Sequence, residues 1–367
     1  MKKHIVAFVA STAFLISCSK SSGNGDGDDS SYVNKAPQGT WAASNIMPTS
    51  GGLSMVNMGR IGAISMLISG YNYIGLGSTI IDSVQGTYKS LGDFWQIDYY
   101  NGTLTQMASM PNGGRRYASA FAIDYKGYVG GGYSDSLATN LKDFYQYNSA
   151  SNTWTRKPDI PFSSGRQQGF GFAITDLGYM GGGRDNNGLP WSDVYRYNPN
   201  TEVWTSVAAF PGDKKYGATS FTYDNKAYIC GGYPLSTDFF SFNGTDWMQL
   251  HNIANVDSAK YDDQYTNIAR VNATAFVING WAYLVGGSGN SNVWSYDIAN
   301  DLWYPNTKLP ISDNDVSSLN GVTSFVNLFD NKAYIVLGLK NSSTNSALYN
   351  SYNNGVTNVY QFTPGSK

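Results

Sequence analysis

Basic side chains recur in this chain at one register. Counting back 17 residues from Gly77, Gly132, Gly183, Gly232, Gly287 and Gly338 lands on Arg60, Arg115, Arg166, Lys215, Arg270 and Gly321. Five of these six positions are cationic. A guanidinium grips a carboxylate through two parallel hydrogen bonds, so the set suits an acidic ligand. A second register offers it a different partner. Asp93, Asp143, Asp193, Asp238, Asn292 and Asn358 also fall at equivalent places. Carboxylates there would neutralise the cations and hold loops together, a use worth little where the pairs are exposed. Arg115-Arg116 and Lys214-Lys215 are doubled, so those segments hold the best candidates for a spare cation.

Acid–base chemistry needs a proton donor and acceptor beside such a cation. His251, Asp257, Asp262 and Asp263, with Arg270, supply the residue types, although a solvated acidic loop has the same composition. No nucleophile motif accompanies His251, so a Ser-His-Asp triad is not supported. The chain has 2 histidines, His4 and His251, too few for a copper radical centre or a multi-histidine zinc site. No metal or other cofactor is expected. Tyr133, Trp191, Tyr233, Tyr261, Tyr265 and Tyr349 are candidates to stack on sugar rings or peptide side chains. In a chain with 28 tyrosines, packing of loops onto the blades is the better account of any single one of them.

The elements that must position these residues repeat. One unit reads Gly127-Tyr128-Val129-Gly130-Gly131-Gly132, then Phe144-Tyr145-Gln146-Tyr147-Asn148, then Trp154. The next reads Gly178-Tyr179-Met180-Gly181-Gly182-Gly183, then Val194-Tyr195-Arg196-Tyr197-Asn198, then Trp204. Ala227 to Gly232 with Trp247, and Ala282 to Gly287 with Trp303, repeat the pattern. Weaker copies flank them at Tyr73 to Gly77 and Ala333 to Gly338. The final glycines are separated, by subtraction, by 55, 51, 49, 55 and 51 residues. The glycine pair, the tyrosine and the tryptophan of each unit resemble the kelch repeat, whose period is about 50 residues. The resemblance implies an all-β fold, a six-bladed kelch-type β-propeller with four antiparallel strands per blade. Such propellers include the central domain of galactose oxidase, whose copper ligands this chain lacks. They also include sialic acid mutarotases, and adaptors in which arginines at the collar position grip acidic peptides.

The sixth unit stops without its tryptophan strand. Gly39-Thr40-Trp41-Ala42-Ala43 is an unassigned strand with a tryptophan, and it is expected to close the last blade. Four antiparallel strands put the strand 2–3 loops and the inter-blade loops on one face, here called X. These loops are long and varied, whereas the turns of the opposite face Y are short. Binding is therefore expected on X, with Arg60, Arg115, Arg166, Lys215, Arg270, Trp191 and Tyr233 as ligand-binding candidates. His251, Asp262 and Arg270 are the catalytic set if the protein is an enzyme.

The N-terminus reads as an address. Met1-Lys2-Lys3-His4 is basic, Ile5 to Ile16 is apolar, and Leu15-Ile16-Ser17-Cys18 resembles the lipobox of bacterial lipoproteins. Residues 1–17 are expected to be a signal peptide, Cys18 the lipidation site, 18–38 a flexible tether and 39–367 the propeller. The acidic run Asp26-Gly27-Asp28-Asp29 resembles the export signal of surface lipoproteins in Bacteroidetes. An outer-membrane lipoprotein, attached to the membrane only through that lipid, is expected. Its partner would be a glycan, an acidic sugar or an envelope protein, and the alternative activity is a sialic-acid-type mutarotase or epimerase. With net charge −2 and only 14% charged residues, nucleic acid is not an expected partner. Disorder is excluded by 41% hydrophobic residues. Cys230 lies in an apolar strand and reads as a small buried hydrophobe.

Overall fold

The computed structural model describes residues 34–44, 60–82, 87–98, 103–253, 268–311, 319–336 and 359–366. The chain divides into two units, Met1–Val33 and Asn34–Lys367. The first unit, with Cys18 and the signal segment, lies outside the described residues.

Six four-stranded antiparallel sheets form the body of the second unit, and two two-stranded sheets, Ser78–Asp82 with Thr87–Ser90 and Tyr133–Ser134 with Thr139–Asn140, extend from it. Blade 1 runs Ile64–Ile68, Tyr71–Gly75, Phe94–Asp98, Thr103–Met107, and blade 2 runs Ser119–Ile123, Lys126–Gly130, Phe144–Asn148, Thr153–Lys157. Blade 3 is Gln167–Ile174, Leu177–Arg184, Val194–Asn198, Val203–Val207, and blade 4 is Tyr216–Tyr223, Lys226–Tyr233, Phe240–Phe242, Trp247–Gln249. Blade 5 is Thr274–Ile278, Trp281–Val285, Val293–Asp297, Leu302–Asn306. Blade 6 takes Thr323–Asn327, Lys332–Val336 and Val359–Thr363 from the end of the chain and Thr40–Ala43 from its beginning. Thr40 pairs with Thr363 and Ala43 with Tyr360. The chain is thus an all-β propeller, closed by the strand that sequence reasoning chose.

Blades pack face to face through their aromatic residues. Phe94 of blade 1 meets Tyr147 of blade 2 edge-on at 4.9 Å and Trp154 at 5.2 Å. Phe144 of blade 2 repeats this with Tyr197 and Trp204 of blade 3, each at 4.9 Å. Such edge-to-face pairs add to area burial. The outer-strand tryptophans of blades 2, 3 and 4 also tie each blade to the one before. Trp154 donates to Ala108 O at 2.8 Å, Trp204 to Pro158 O at 3.1 Å and Trp247 to Ala208 O at 3.0 Å. Trp41 does the same to Thr307 O at 2.9 Å, which makes it the tryptophan of blade 6.

The approach to that strand is packed. Asn34 and Gln38 donate to Pro305 O, and Asn306 Nδ2 donates to Pro37 O at 3.0 Å. Residues 34–38, assigned from sequence to the tether, lie against the outer strand of blade 5.

Candidate functional site

The five cations of the repeat register are all buried, with Arg115, Lys215 and Arg270 fully so. Each sits just before the innermost strand of its blade and reaches the start of the third strand of that blade. Arg60 binds Asp93 bidentately at 2.7 and 2.9 Å, and Arg115 binds Asp143 at 2.6 and 3.0 Å. Arg166 holds Asp193 with the same two-point grip, and Lys215 donates to Asp238 at 2.7 Å. In blade 5, where Asn292 replaces the aspartate, Arg270 donates to Asn292 O at 2.9 Å and Gly286 O at 3.0 Å. Desolvation lowers Arg270 to about 10, so it stays charged at neutral pH.

The backbone of the same residues latches adjacent blades. Gly77 N donates to Arg115 O, Gly132 N to Arg166 O, Gly183 N to Lys215 O and Gly232 N to Arg270 O, at 2.7 to 2.9 Å. This close approach explains the glycine pair. Gly231 has φ +68°, and a Cβ on it would lie 2.5 Å from Arg270 O. The collar therefore joins two blades at four steps, and Gly287 N donating to Leu319 O joins blades 5 and 6 in the same way. The aspartate register, weighed above as the structural alternative, supplies its partners.

Two residues further along, a second ring surrounds the axis on face X. The first hairpin of blade 6 is two residues longer than that of blade 5, so Leu319, which accepts from Gly287 N, takes the collar place there. Gly321, counted from sequence into the collar, belongs to this second ring. Its members are Gly62, Tyr117, Gln168, Gly217, Asn272 and Gly321, one per blade, and all six have left-handed φ between +54° and +72°. Backbone hydrogen bonds link five of the six steps. Tyr117 N donates to Gly62 O, Gln168 N to Tyr117 O, Asn272 N to Gly217 O, Gly321 N to Asn272 O and Gly62 N to Gly321 O. The side chains fill the space that the glycines leave. A Cβ on Gly62 would lie 2.7 Å from the Tyr117 ring, and one on Gly321 would lie 3.1 Å from the Tyr117 hydroxyl. Above Gly217, Gln168 Nε2 donates to Asn272 Oδ1 at 2.7 Å.

Two arginines flank this mouth without belonging to the collar. Arg116 meets Asp135 at 3.2 Å and lies over the rings of Tyr88 and Tyr133 at 4.8 and 5.0 Å. Arg184, at the X end of the second strand of blade 3, lies 4.8 Å over Tyr216. It forms no ion pair among the described residues. Burial raises the Tyr117 phenol above its ordinary value, and the charges of Arg116 and Arg184 draw it partway back. Arg116 Nε, Arg184 Nε and Gln168 Oε1 are buried without a hydrogen-bond partner among the described residues. Buried polar atoms in that state are uncommon and mark places that accept water or ligand atoms. The cluster thus offers two aromatic-backed cations, a protonated phenol and an amide at one mouth.

The remaining candidates fall elsewhere. Trp191 stacks on Arg166 at 4.3 Å, and its carbonyl accepts from Lys215 N, so it packs a loop. Tyr233 is 51% exposed and lies against Tyr216 at 5.1 Å. His251 follows the outer strand of blade 4 and contacts Asp301 of blade 5, with its backbone N 3.0 Å from Oδ2. Ala108 holds the equivalent place, meeting Asn152, so His251 is on the outer rim, while Arg270 is in the collar. Asp257, Tyr261, Asp262, Asp263, Tyr265, Tyr349 and Asn358 lie outside the described residues. Cys230 is fully buried, and desolvation pushes its thiol up to about 12. The doubled pairs Arg115-Arg116 and Lys214-Lys215 pointed to their blades for a spare cation, but Arg184, Tyr117, Gln168 and Asn272 were missed. A signal existed for each. After their final glycines the six units read Ser78, Tyr133, Arg184, Tyr233, Ser288 and Leu339, and the arginine is the one charged member. The inner ring mixes three glycines with three larger polar residues, 15 residues before the final glycine in five units and 17 before it in the sixth.

Comparisons with known proteins agree with this architecture. The family model of the KLHDC2/KLHL20/DRC7 Kelch-repeats domain matches residues 83–232. N-acetylneuraminate epimerase of Escherichia coli O9:H4 (strain HS) is 27% identical over 154 residues, 41% of this chain and 39% of that protein. The Pasteurella multocida protein of the same name is 27% identical over 203 residues, 43% of this chain and 52% of that protein. The chain thus spans about half or less of the curated relatives it matches. A solved structure described as "Structure of YjhT" superposes with a TM-score of 0.61 at 15% identity, covering 81% of this chain and 94% of that one. Blade count and strand order make the chain a six-bladed β-propeller, and the Kelch-repeats model matches its residues 83–232.

Proposed function

We propose that the protein recognises an acidic sugar at the X mouth of its central channel, with Arg116 and Arg184 receiving the carboxylate. One observation carries this reading. Arg184, backed by Tyr216 at 4.8 Å, meets no ion-pair partner among the described residues, and its Nε and that of Arg116 are buried there without a hydrogen-bond partner. An aromatic ring behind a guanidinium holds it in place and leaves its edge for bidentate bonding. The collar cations, all buried on their own partners, are poorly suited to the task. The name of the relatives, N-acetylneuraminate epimerase, adds support, since their named substrate is a carboxylated sugar. The test is titration calorimetry with N-acetylneuraminate, backed by an array of sialylated and uronic-acid glycans. Arg184→Ala and Arg116→Ala should each weaken binding at least about tenfold. A wild-type protein that binds no acidic sugar, or an Arg184→Ala variant that binds as well as wild type, overturns the reading.

The same relatives favour a second reading, interconversion of the anomers of that sugar. Ring opening needs a proton moved between the anomeric hydroxyl and the ring oxygen. Tyr117, whose phenol burial raises above its ordinary value, gives its proton to the ring oxygen while solvent water takes the anomeric proton, with the arginines as anchor. Exchange between anomers followed by NMR should slow on Tyr117→Phe and be unaffected by His251→Ala, given the rim position of His251. A rate that survives Tyr117→Phe removes Tyr117 from that role.

We infer further that the chain is a lipid-anchored envelope protein. The basic start, the apolar run to Ile16 and Cys18 support this. Cys18→Ser should shift the protein from the membrane to the soluble fraction. A wild-type protein without a lipid-sized mass increment refutes it.

A further inference from the structure

Glycine is the residue best suited to every position of the inner ring, because each has left-handed φ. Gly62, Gly217 and Gly321 follow that rule, but Tyr117, Gln168 and Asn272 do not. Non-glycine residues in this region are strained, and such strain persists where surrounding structure enforces it, often at binding sites. Gln168 combines this with a second unfavourable feature. It is only 7% exposed, and its Oε1 has no hydrogen-bond partner among the described residues. Its other amide atom is engaged, since Nε2 donates to Asn272 Oδ1 at 2.7 Å, and Asn272 Nδ2 donates in turn to Asn320 Oδ1 at 3.2 Å. The amide is therefore oriented, and a buried acceptor is held ready at the mouth that Arg116 and Arg184 flank. A seal for the channel would need only volume. Apolar side chains supply that without stranding an oxygen.

We propose that Gln168 is a specificity-determining residue, whose Oε1 accepts a hydrogen bond from a hydroxyl or amide N–H of the bound sugar. Asn272 is its positioning residue, and Tyr117 forms the opposite wall. This rests on the acidic-sugar reading above. In it the arginines select the charge and Gln168 selects a neutral donor on the same molecule. A site built to satisfy a buried polar atom discriminates strongly against ligands that leave it unpaired.

Two substitutions separate recognition from sealing, with N-acetylneuraminate as the probe. Gln168→Met keeps the volume and removes the amide. Gln168→Gly removes the volume and relaxes the backbone. Recognition predicts that both lose about tenfold in affinity, and that the glycine variant melts no lower than wild type. Sealing predicts that Gln168→Met binds like wild type. Wild-type affinity in Gln168→Met overturns the proposal at whatever melting temperature either variant shows. If Gln168→Met weakens binding while Arg184→Ala does not, the arginine reading fails and the Gln168 assignment stands. If Arg184→Ala weakens binding and Gln168→Met does not, the reverse holds. A wild-type protein that binds no acidic sugar removes both.

Discussion

At the scale of single residues, the collar shows how a buried charge is tolerated. Arg115 is fully buried, yet its guanidinium spends donors on both oxygens of Asp143 and on Gly131 O. Removing one partner would leave the other charged and desolvated. Asp143→Ala is expected to cost about 3–5 kcal/mol of stability, read as a shift of the urea midpoint at unchanged slope. A cost near 0.5 kcal/mol would show a pair that behaves as if exposed. The sister pair gives a pH signature. Desolvation alone would raise the Asp93 carboxyl, but hydrogen bonds and charge from Arg60, with the Trp95 indole, hold it below its ordinary value. A folded pKa below the unfolded one adds stability above about pH 4, and that stability is lost as pH falls further. Asp93→Asn should flatten the acid limb of the stability–pH curve. An unchanged limb would show that Asp93 titrates alike in the two states. The partners of these cations were legible as a register of aspartates, but their choice of partner was not. Spacing alone puts a cation and a carboxylate at one end of a blade. Burial, which sequence does not show, decides that they must meet.

At the scale of strands and blades, closure rests on one tryptophan and one edge. Trp41 stacks near Phe362 at 4.8 Å and donates to Thr307 O, repeating the contact of Trp154, Trp204 and Trp247. Trp41→Phe should lose about 1 kcal/mol, the worth of one hydrogen bond, and Trp204→Phe should lose a similar amount. Deleting residues 34–44 would uncover the Val359–Thr363 edge, and an uncovered edge pairs with other chains. Oligomers in size-exclusion chromatography with light scattering are the expected result, and a stable monomer would refute closure as the protecting device. This element was legible in sequence because the sixth unit lacked a tryptophan and the N-terminal segment had one to spare. The packing of residues 34–38 was not legible. It depends on Asn306 reaching Pro37 O and Gly39 N across 267 to 269 residues of chain, and no local pattern announces that.

At the scale of the whole molecule, net charge and site charge part company. The chain carries −2, so its long-range field is weak, while Arg116 and Arg184 concentrate positive charge at one mouth. Binding of an acidic sugar should therefore weaken by no more than about threefold between 0.05 and 0.5 M NaCl, since half-buried charges are screened less than exposed ones. A loss of a hundredfold or more would instead indicate an exposed, diffuse cationic surface. Taken alone, the sequence determined the repeat, its period, the number of blades and the strand that closes them. Each of these follows from residue types recurring at fixed intervals. It also supplied a ring of cations and a ring of aspartates. The tertiary structure alone decided that these rings consume each other, and that the mouth belongs instead to Tyr117, Arg116, Gln168, Arg184 and Asn272. The physical reason is convergence. Six blades bring one residue from each repeat to a common axis, so neighbours in space lie about 50 residues apart in sequence. Which side chain is left without a partner depends on what the other blades deliver to the same place.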